Sequence, residues 1–527
     1  MMGIEVNTAR GWNRIVRMMR LDGYVVPLGF ALCVFLLHLI SNLFFRYGYF
    51  RDEFYYLVCG DHLAFGYVDH PPLIAVIARV TRTLLGDSIV AIRLPSALAH
   101  AGLVVFTGLM ARELGGRRFA QVLACLCAVI APVYLIGGNM LSTIPFDQFW
   151  WTLCAYFAVR LITTEDPRYW LAIGATVGIG LETKHNMVFL ACGIAVGVLL
   201  TSNRRYLRSR WLWYGAAIAV GLALPNMLWE VANGWPTLEF VRNAAGGKNA
   251  HVSPIGFLAN QILVLHPLTL PVWLIGLVVC FRTPRYRLLG CLYLVPMLML
   301  MATQSARADY LAPAYPALLA VGAVAIARWA EQRQWRWAVP ATLVPLAITG
   351  VLLMPIGLPI LSPAKMAAYS ARLTGAGVND PSREQGKTAQ LPQYFADQFG
   401  WPELTAEVAR VYTSLPPADQ SKAVIFTENY GEAAALTFFG SPYHLPMTIS
   451  GHNNYYLWGP GAATGDVVIV VGDQDPTDLR QSFRDVTQAG VTRCTYCIDY
   501  ENHTPIFVAR EPIKPIGAIW STVKHYT

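Results

Sequence analysis

The sequence predicts a polytopic α-helical membrane protein carrying a C-terminal extracytoplasmic α/β domain, on three observations. Hydrophobic residues fill 55% of 527 positions, charged residues only 14%, and the mean hydropathy is +0.42, whereas soluble domains carry about a quarter charged residues. Apolar stretches recur between residues 23 and 356, each near the roughly 17–25 residues needed to cross about 30 Å of hydrocarbon. After Pro355 the composition turns to that of a small soluble domain. The expected division is a transmembrane domain over 1–356 and an outer domain over 357–527.

Eleven spans are expected, near 24–45, 88–111, 119–138, 146–163, 169–183, 187–201, 211–229, 258–281, 287–303, 311–328 and 337–356. The first follows Arg10, Arg14, Arg17 and Arg20; it is too long for a signal-peptide core and lacks a small-residue cleavage site, so it reads as an uncleaved span. Glu182, Lys184 and His185 interrupt the fifth and sixth, the one visibly broken pair. Alternate loops carry Arg112, Arg117, Arg118, Arg168, the RRYLRSR run, Arg282, Arg285, Arg287, Arg328, Arg333 and Arg336. Positive-inside bias makes that side cytoplasmic, together with the N-terminus, and an odd number of spans sends the outer domain across.

The net charge of +8 divides unevenly: residues 357–527 hold 12 Lys+Arg against 16 Asp+Glu, a net −4, leaving +12 on the membrane part. Topology explains that excess, and nucleic-acid binding does not. In the outer domain AVIFTEN (423–429), DVVIVVGD (466–473) and TPIFVARE (504–511) read as strands and PTDLRQSFRDVTQAG (476–490) as a helix. Of ten cysteines, eight lie in or near spans; Cys494 and Cys497, in CTYC, suit a local disulfide on the oxidising side, and no second ligand pair for zinc is found.

The loops on the outer side carry the chemistry. Loop 46–87 is longer than a connector needs, and its mixture of aromatic, apolar and charged residues suits amphipathic helices in the interface. It holds Arg51, Asp52 and Glu53 in YFRDEFYYL, with Tyr55 following, then Asp61, His62, Asp69 and His70 ahead of Pro71 and Pro72. A second segment, 230–257, carries Trp235, Arg242, Lys248 and His251; a third holds Arg307, Asp309, Tyr310 and Tyr315. Arg307 departs from the positive-inside pattern. Lys184 sits in the broken span pair, and an ionisable residue there is a functional candidate whose bland alternative is snorkelling to the interface. SGHNNYYLWGPG (450–461) gathers His452, Asn453, Tyr455 and Trp458, which suits sugar recognition or simple docking of the outer domain.

DEFYYL followed by GYVDHPPLIAVIARV resembles the first external loop of glycosyltransferase family 39 and its relatives, the protein O-mannosyltransferases and aminoarabinose transferases of the GT-C fold. GLETKHN, PNMLWEVANGW, ADYLAPAYPALLA, LPQYFADQFGWPEL and SGHNNYYLWGPG resemble later motifs in the same order, so the likeness runs over nearly the whole chain. The resemblance implies an inverting transfer of a sugar from a polyprenyl-phosphate donor to lipid A, another glycan or a protein at the outer face of a bacterial inner membrane. Asp52 would be the base and Glu53 would help place acceptor or donor. Arg51, Tyr55, Asp69, His70, Lys184, Arg307 and Tyr310 form the substrate- and phosphate-binding set, although His70 stands where aminoarabinose transferases typically have lysine. His452, Asn453 and Tyr455 are candidates on the acceptor side. No cofactor is expected and no metal cluster is visible in the sequence, though the paired carboxylates leave a divalent ion open. A lipid-linked-sugar transporter or binding protein, and a glycan ligase of the same fold, are the competing readings.

Overall fold

The computed structural model describes residues 5–45, 47–248, 251–375, 384, 388–472 and 475–527, with side chains from Gly23 onward. The side chains of the arginines ahead of the first span and of Lys248 lie outside the described residues, as does Asp473 at the end of the DVVIVVGD stretch.

Each of the eleven apolar stretches is helical. The helices are α1 (Glu5–Phe44), then α4 (Ile89–Glu113) after the two of loop 46–87, α5 (Arg118–Ile130), α6 (Pro132–Gly138), α7 (Thr143–Thr164), α8 (Tyr169–Leu181), α9 (Met187–Leu200), α10 (Arg210–Ala232), α11 (Pro236–Asn243), α12 (Pro254–Val264), α13 (Leu270–Arg282), α14 (Arg287–Thr303), α15 (Tyr315–Gln332) and α16 (Ala338–Gly357). Among the described residues six helices are long and apolar enough to cross a membrane, or nine if each bent pair counts once. Bends of 66° between α5 and α6, 97° after α9 and 98° between α12 and α13 exceed the single break visible in the sequence. Their causes are local. Ala131, preceding Pro132, takes ψ 118°, the extended setting a following proline imposes. His266, at φ 83° and just before Pro267, ends α12, so 258–281 is two helices and not one straight span. Small residues bring helices close: a Cβ on Gly174 would strike the Gly215 backbone, which packs α8 on α10.

Loop 46–87 folds into α2 (Arg51–Asp61) and α3 (Leu73–Leu85). The amphipathic expectation holds for α3, which buries Ile74, Ala75 and Ala78 and exposes Val76, Val80, Leu84 and Leu85. It does not hold for α2, which is enclosed except at Asp52 and Asp61. Its five large side chains from Phe54 to Val58 need cover on all sides, worth about 1.5–3 kcal/mol for each fully buried one, and the outer domain supplies it.

That domain is built on a five-stranded sheet of order β2-β1-β3-β5-β4, formed by β1 (Ala423–Thr427), β2 (Thr448–Ser450), β3 (Val467–Val471), β4 (Phe483–Val491) and β5 (Pro505–Pro512). The first three strands are parallel and the last two antiparallel. Helix α17 (Trp401–Ser414) and helix α18 (Tyr430–Phe439) cover one face. The helix expected over 476–490 stops at Ser482, as α20 (Pro476–Ser482) after the short α19 (Asn454–Trp458), and its second half is β4. There Phe483 and Val486 pack on the sheet core and Arg510 of β5 reaches Asp485 at 3.4 Å, so strand pairing overrides helix propensity. Cys494 and Cys497 form a disulfide. A single apolar cluster runs from Phe54, Tyr55 and Leu57 of α2 through Trp401, Leu404, Tyr430 and Leu436 to Val467 and Ile469, so the domain caps loop 46–87 through a shared core.

One buried acid in this cap gives a test of it. Burial, with Glu501 nearby, holds the Glu432 carboxyl well above the usual glutamate range. The folded chain then binds more protons than the unfolded one, and this group's contribution to stability falls as pH rises past the unfolded value of about 4.3. Glu432→Gln is expected to raise the thermal midpoint of the chain at pH 8 and to leave it unchanged near pH 4. An equal shift at both pH values would count against this account.

Candidate active site

The start of α2 is set by Glu53. Its Oε2 accepts the Phe50 N–H at 2.7 Å, and Arg93 from α4 grips both oxygens at 2.8 Å each. Oε1 also accepts the Leu141 N–H at 2.8 Å. Glu53 and Arg93 are 0% and 1% exposed at the side chain, and Arg93 further donates to Asn42 Oδ1 and the Gly48 carbonyl. Every strong acceptor direction of Glu53 is therefore spent inside the protein. Where the sequence suggests a substrate-handling group, the structure places Glu53 as an internal anchor of α2. The signal missed was Arg93, an arginine in the first turns of an apolar span.

Asp52, next to it, stays 26% exposed at the side chain. Oδ1 accepts the Tyr430 hydroxyl at 2.8 Å and lies 3.4 Å from Arg51 Nε. Arg51 is buried, with Glu384 at 3.7 Å and Asp397 at 3.8 Å, and Tyr430 beneath its guanidinium. Arg51 is thus partnered by carboxylates, of which three lie within 4 Å.

Tyr55 donates to Asp69 Oδ1 at 2.8 Å, and burial with Asp69 alongside keeps its hydroxyl protonated by raising it well above the ordinary tyrosine value. His70 sits in an aromatic box, stacked on Tyr67 at 4.6 Å and edge-on to Tyr55 and Tyr56. Nδ1 contacts the Pro71 carbonyl at 2.9 Å, and burial lowers the imidazole's affinity for protons although Asp69 opposes it. A neutral ring can donate a hydrogen bond to a phosphate but brings none of the charge a lysine would.

The later segments close against this loop. The Leu73 N–H donates to the Glu182 carbonyl at 2.9 Å, and Asn226 of α10 links the Phe65 carbonyl to His185. In the α8–α9 break Lys184 lies 4.8 Å from the Tyr310 ring centre. Arg307 pairs with Asp309 at 3.2 Å and is held more firmly protonated by it. Glu384 acts electrostatically on both Arg307 and Arg51, tying the Arg307 segment to α2. Two residues that sequence reasoning passed over join them: Asn186 donates to Asp147 Oδ2 of α7 at 2.9 Å and to the Tyr310 carbonyl at 3.0 Å. An acid inside a span was the available signal. Arg242, on α11, is exposed and has no part in this group.

The 450–461 stretch serves docking. Asn454 accepts the Val68 N–H at 2.7 Å and its own N–H approaches the Tyr55 hydroxyl at 3.4 Å, while Trp458 stacks on His62 at 4.5 Å. His452 is buried against Tyr430 and His525, with Nε2 3.0 Å from the Thr527 carbonyl, and Tyr455 is buried beside Thr437 and Trp458. Both are thus enclosed by contacts within the outer domain. Asn453 is buried at φ 48° with neither amide atom bonded. Among the described residues no group of three or more His, Cys, Asp or Glu is arranged to hold a metal ion.

This geometry sits on a GT-C membrane fold. ArnT from Cupriavidus metallidurans, in a crystal structure bound to undecaprenyl phosphate, matches 91% of this chain and 97% of its own at TM-score 0.57 and 15% identity; the apo form gives 0.56 and 16% over 95% and 98%. Residues 69–229 match the family model described as dolichyl-phosphate-mannose-protein mannosyltransferase. Lipid A galacturonosyltransferase RgtD of Rhizobium johnstonii is 26% identical over 258 residues, 47% of this chain and 52% of that protein. Undecaprenyl phosphate-alpha-4-amino-4-deoxy-L-arabinose arabinosyl transferase 1 of Pseudomonas fluorescens is 24% identical over 207 residues, 35% and 37% of the two chains. The chain thus spans about half the length, or less, of the curated relatives it matches.

Proposed function

We propose that this chain is an inverting membrane glycosyltransferase that moves a sugar from a polyprenyl-phosphate donor to a hydroxyl of an envelope acceptor, lipid A, another glycan or a protein. The observation that carries the reading is that Glu384 acts on both Arg307 and Arg51, the neighbour of the partly open carboxylate Asp52, with Lys184 held against Tyr310 of the Arg307 segment, on a fold that in ArnT holds undecaprenyl phosphate. The positive-inside bias of the loops supports an outer-face position for these residues.

In the step proposed, the acceptor oxygen bonds to the anomeric carbon as the bond from that carbon to the phosphate oxygen breaks. Asp52 takes the acceptor's proton, and the polyprenyl phosphate leaves with its added negative charge. Lys184 and Arg307 stabilise that charge, arginine by a fork that matches phosphate oxygens, and Tyr310 holds Lys184 in place through its ring. Asp69 fixes Tyr55 against the same helix.

Reconstituted in lipid vesicles with undecaprenyl-phosphate-linked sugars and an envelope extract, the chain is expected to release undecaprenyl phosphate in an acceptor-dependent way. Arg307→Ala should weaken donor binding by about tenfold or more, the scale of one lost charged hydrogen bond; unchanged affinity would remove Arg307 from the site. The three bent helix pairs are the feature that favours a lipid-linked-sugar transporter or binding protein. That reading wins if donor is bound, or moved across the membrane, with no transfer to any acceptor.

A further inference from the structure

Three hydrogen-bond acceptors gathered behind Asp52 have no partner among the described residues. Asn186 Nδ2 donates twice, to Asp147 Oδ2 and to the Tyr310 carbonyl, which fixes the amide and turns Oδ1 away. Asn186 Oδ1 is unpaired, and so is Asp147 Oδ1, on side chains that are 6% and 2% exposed. The Trp151 indole N–H, one turn along α7, points its donor character at this carboxylate without closing a hydrogen bond of normal length and angle. His70 is the third. A carbonyl only accepts, so the Pro71 contact places the ring proton on Nδ1, and Nε2 is left as a buried lone pair with nothing bonded to it.

The three lie on elements that touch one another. The Tyr56 ring centre is 5.0 Å from that of His70 and its hydroxyl bonds to Thr143, one turn before Asp147 on α7. His185, beside Asn186 in sequence, is close enough to His70 to act on it electrostatically. Buried acceptors left unmet are costly and rare in folded proteins. Three in one place, next to the cations Lys184 and Arg307, describe a complement: a group that donates hydrogen bonds, attached to one that carries negative charge.

We propose that Asp147, Asn186 and His70 form the subsite for the donor's sugar ring and accept hydrogen bonds from its hydroxyl or amino groups, so that the donor sugar presents such hydrogens, and no carboxylate, at this face. The inference rests on the polyprenyl-phosphate-sugar reading and names the substrate class within it. Lys184 and Arg307 take the phosphate; Asp147 repels a uronic acid carboxylate and attracts an ammonium or hydroxyl. None of the three is asked to move a proton in the transfer.

The test uses the full chain in lipid nanodiscs and three probes: undecaprenyl phosphate, undecaprenyl-phosphate galactose and undecaprenyl-phosphate galacturonate, the last two differing only in a hydroxymethyl against a carboxylate. The wild-type chain is expected to bind the galactose probe about tenfold more tightly than either of the others, the scale of one or two satisfied buried acceptors. Asp147→Asn and Asn186→Leu should each erase that preference and leave affinity for sugar-free undecaprenyl phosphate within about twofold, which also reports that the variants fold. Equal or tighter binding of the galacturonate probe by the wild type overturns the subsite, as does a parallel loss of all three probes in both variants. Binding of the sugar-free carrier with no sugar preference removes the subsite alone. Failure of the wild type to bind any undecaprenyl carrier removes the polyprenyl-phosphate reading, and the subsite with it.

Discussion

Asp52→Asn is expected to lower sugar transfer by about 10²- to 10⁴-fold, the usual contribution of a positioned base, with donor affinity nearly unchanged. The substitution keeps the shape of the side chain, and asparagine's Oδ1 can still accept from Tyr430, now 2.8 Å from the carboxylate. It removes only the ability to take a proton. The packing around α2 does not depend on the charge, because the buried anchor is Glu53 and Asp52 remains partly open. Initial rates at saturating donor, with donor binding measured separately, make the distinction: a base acts on turnover and leaves affinity alone. A variant that keeps most of its rate sinks the base assignment. One such outcome is informative in its own right, since a phosphate acceptor is already ionised and needs no base. Tyr430→Phe serves as a control; it removes a hydrogen bond that orients Asp52 and should cost far less than loss of the carboxylate.

What was legible in the sequence divides by physical cause. The helices were, because each apolar stretch has to satisfy its own backbone polar groups in lipid, and loop 46–87 stood out because charge gathered there against an apolar background. Strands β1, β3 and β5 were legible as β-branched and aromatic runs. β4 was not: FRDVTQAGV is an edge strand whose alternation is weak, and it is a strand only because β5 offers it partners over Pro505–Pro512. The bends at Ala131-Pro132 and His266-Pro267 are masked in the sequence, because a single proline leaves the apolar run around it unbroken. Among the site residues, type and neighbourhood were visible but partnership was not. Arg51, Asp52 and Glu53 are adjacent in sequence, yet helix geometry sends them to different surroundings: Arg51 to Glu384 and Asp397, Asp52 to Tyr430, and Glu53 to Arg93 some 40 residues on. A reading that groups three neighbouring charges into one function cannot see that separation. Asp147 and Asn186 escaped for the opposite reason, being far apart in sequence and brought together by α7 and the α8–α9 break.

The partition between Asp52 and Glu53 has its own test. Glu53→Ala is expected to be strongly destabilising, because removing one partner of a buried ion pair leaves the other uncompensated at a cost of about 3–5 kcal/mol. Here the orphaned groups are the Arg93 guanidinium and the N–H groups of Phe50 and Leu141. The purified chain should show a markedly lower thermal midpoint, together with earlier protease cleavage of loop 46–87. Glu53→Leu combined with Arg93→Met should recover part of the loss, since no buried charge is then left alone. That recovery separates a positioning pair from a catalytic one: the double variant can regain stability only if the two side chains hold each other. Its transfer rate adds the second half of the argument. If α2 is correctly placed in the refolded double variant, some activity returns, because Asp52 and the cations are still present. If instead Glu53→Ala melts with the wild-type midpoint and transfer is abolished, Glu53 acts on the substrate, and its place as an anchor of α2 is wrong.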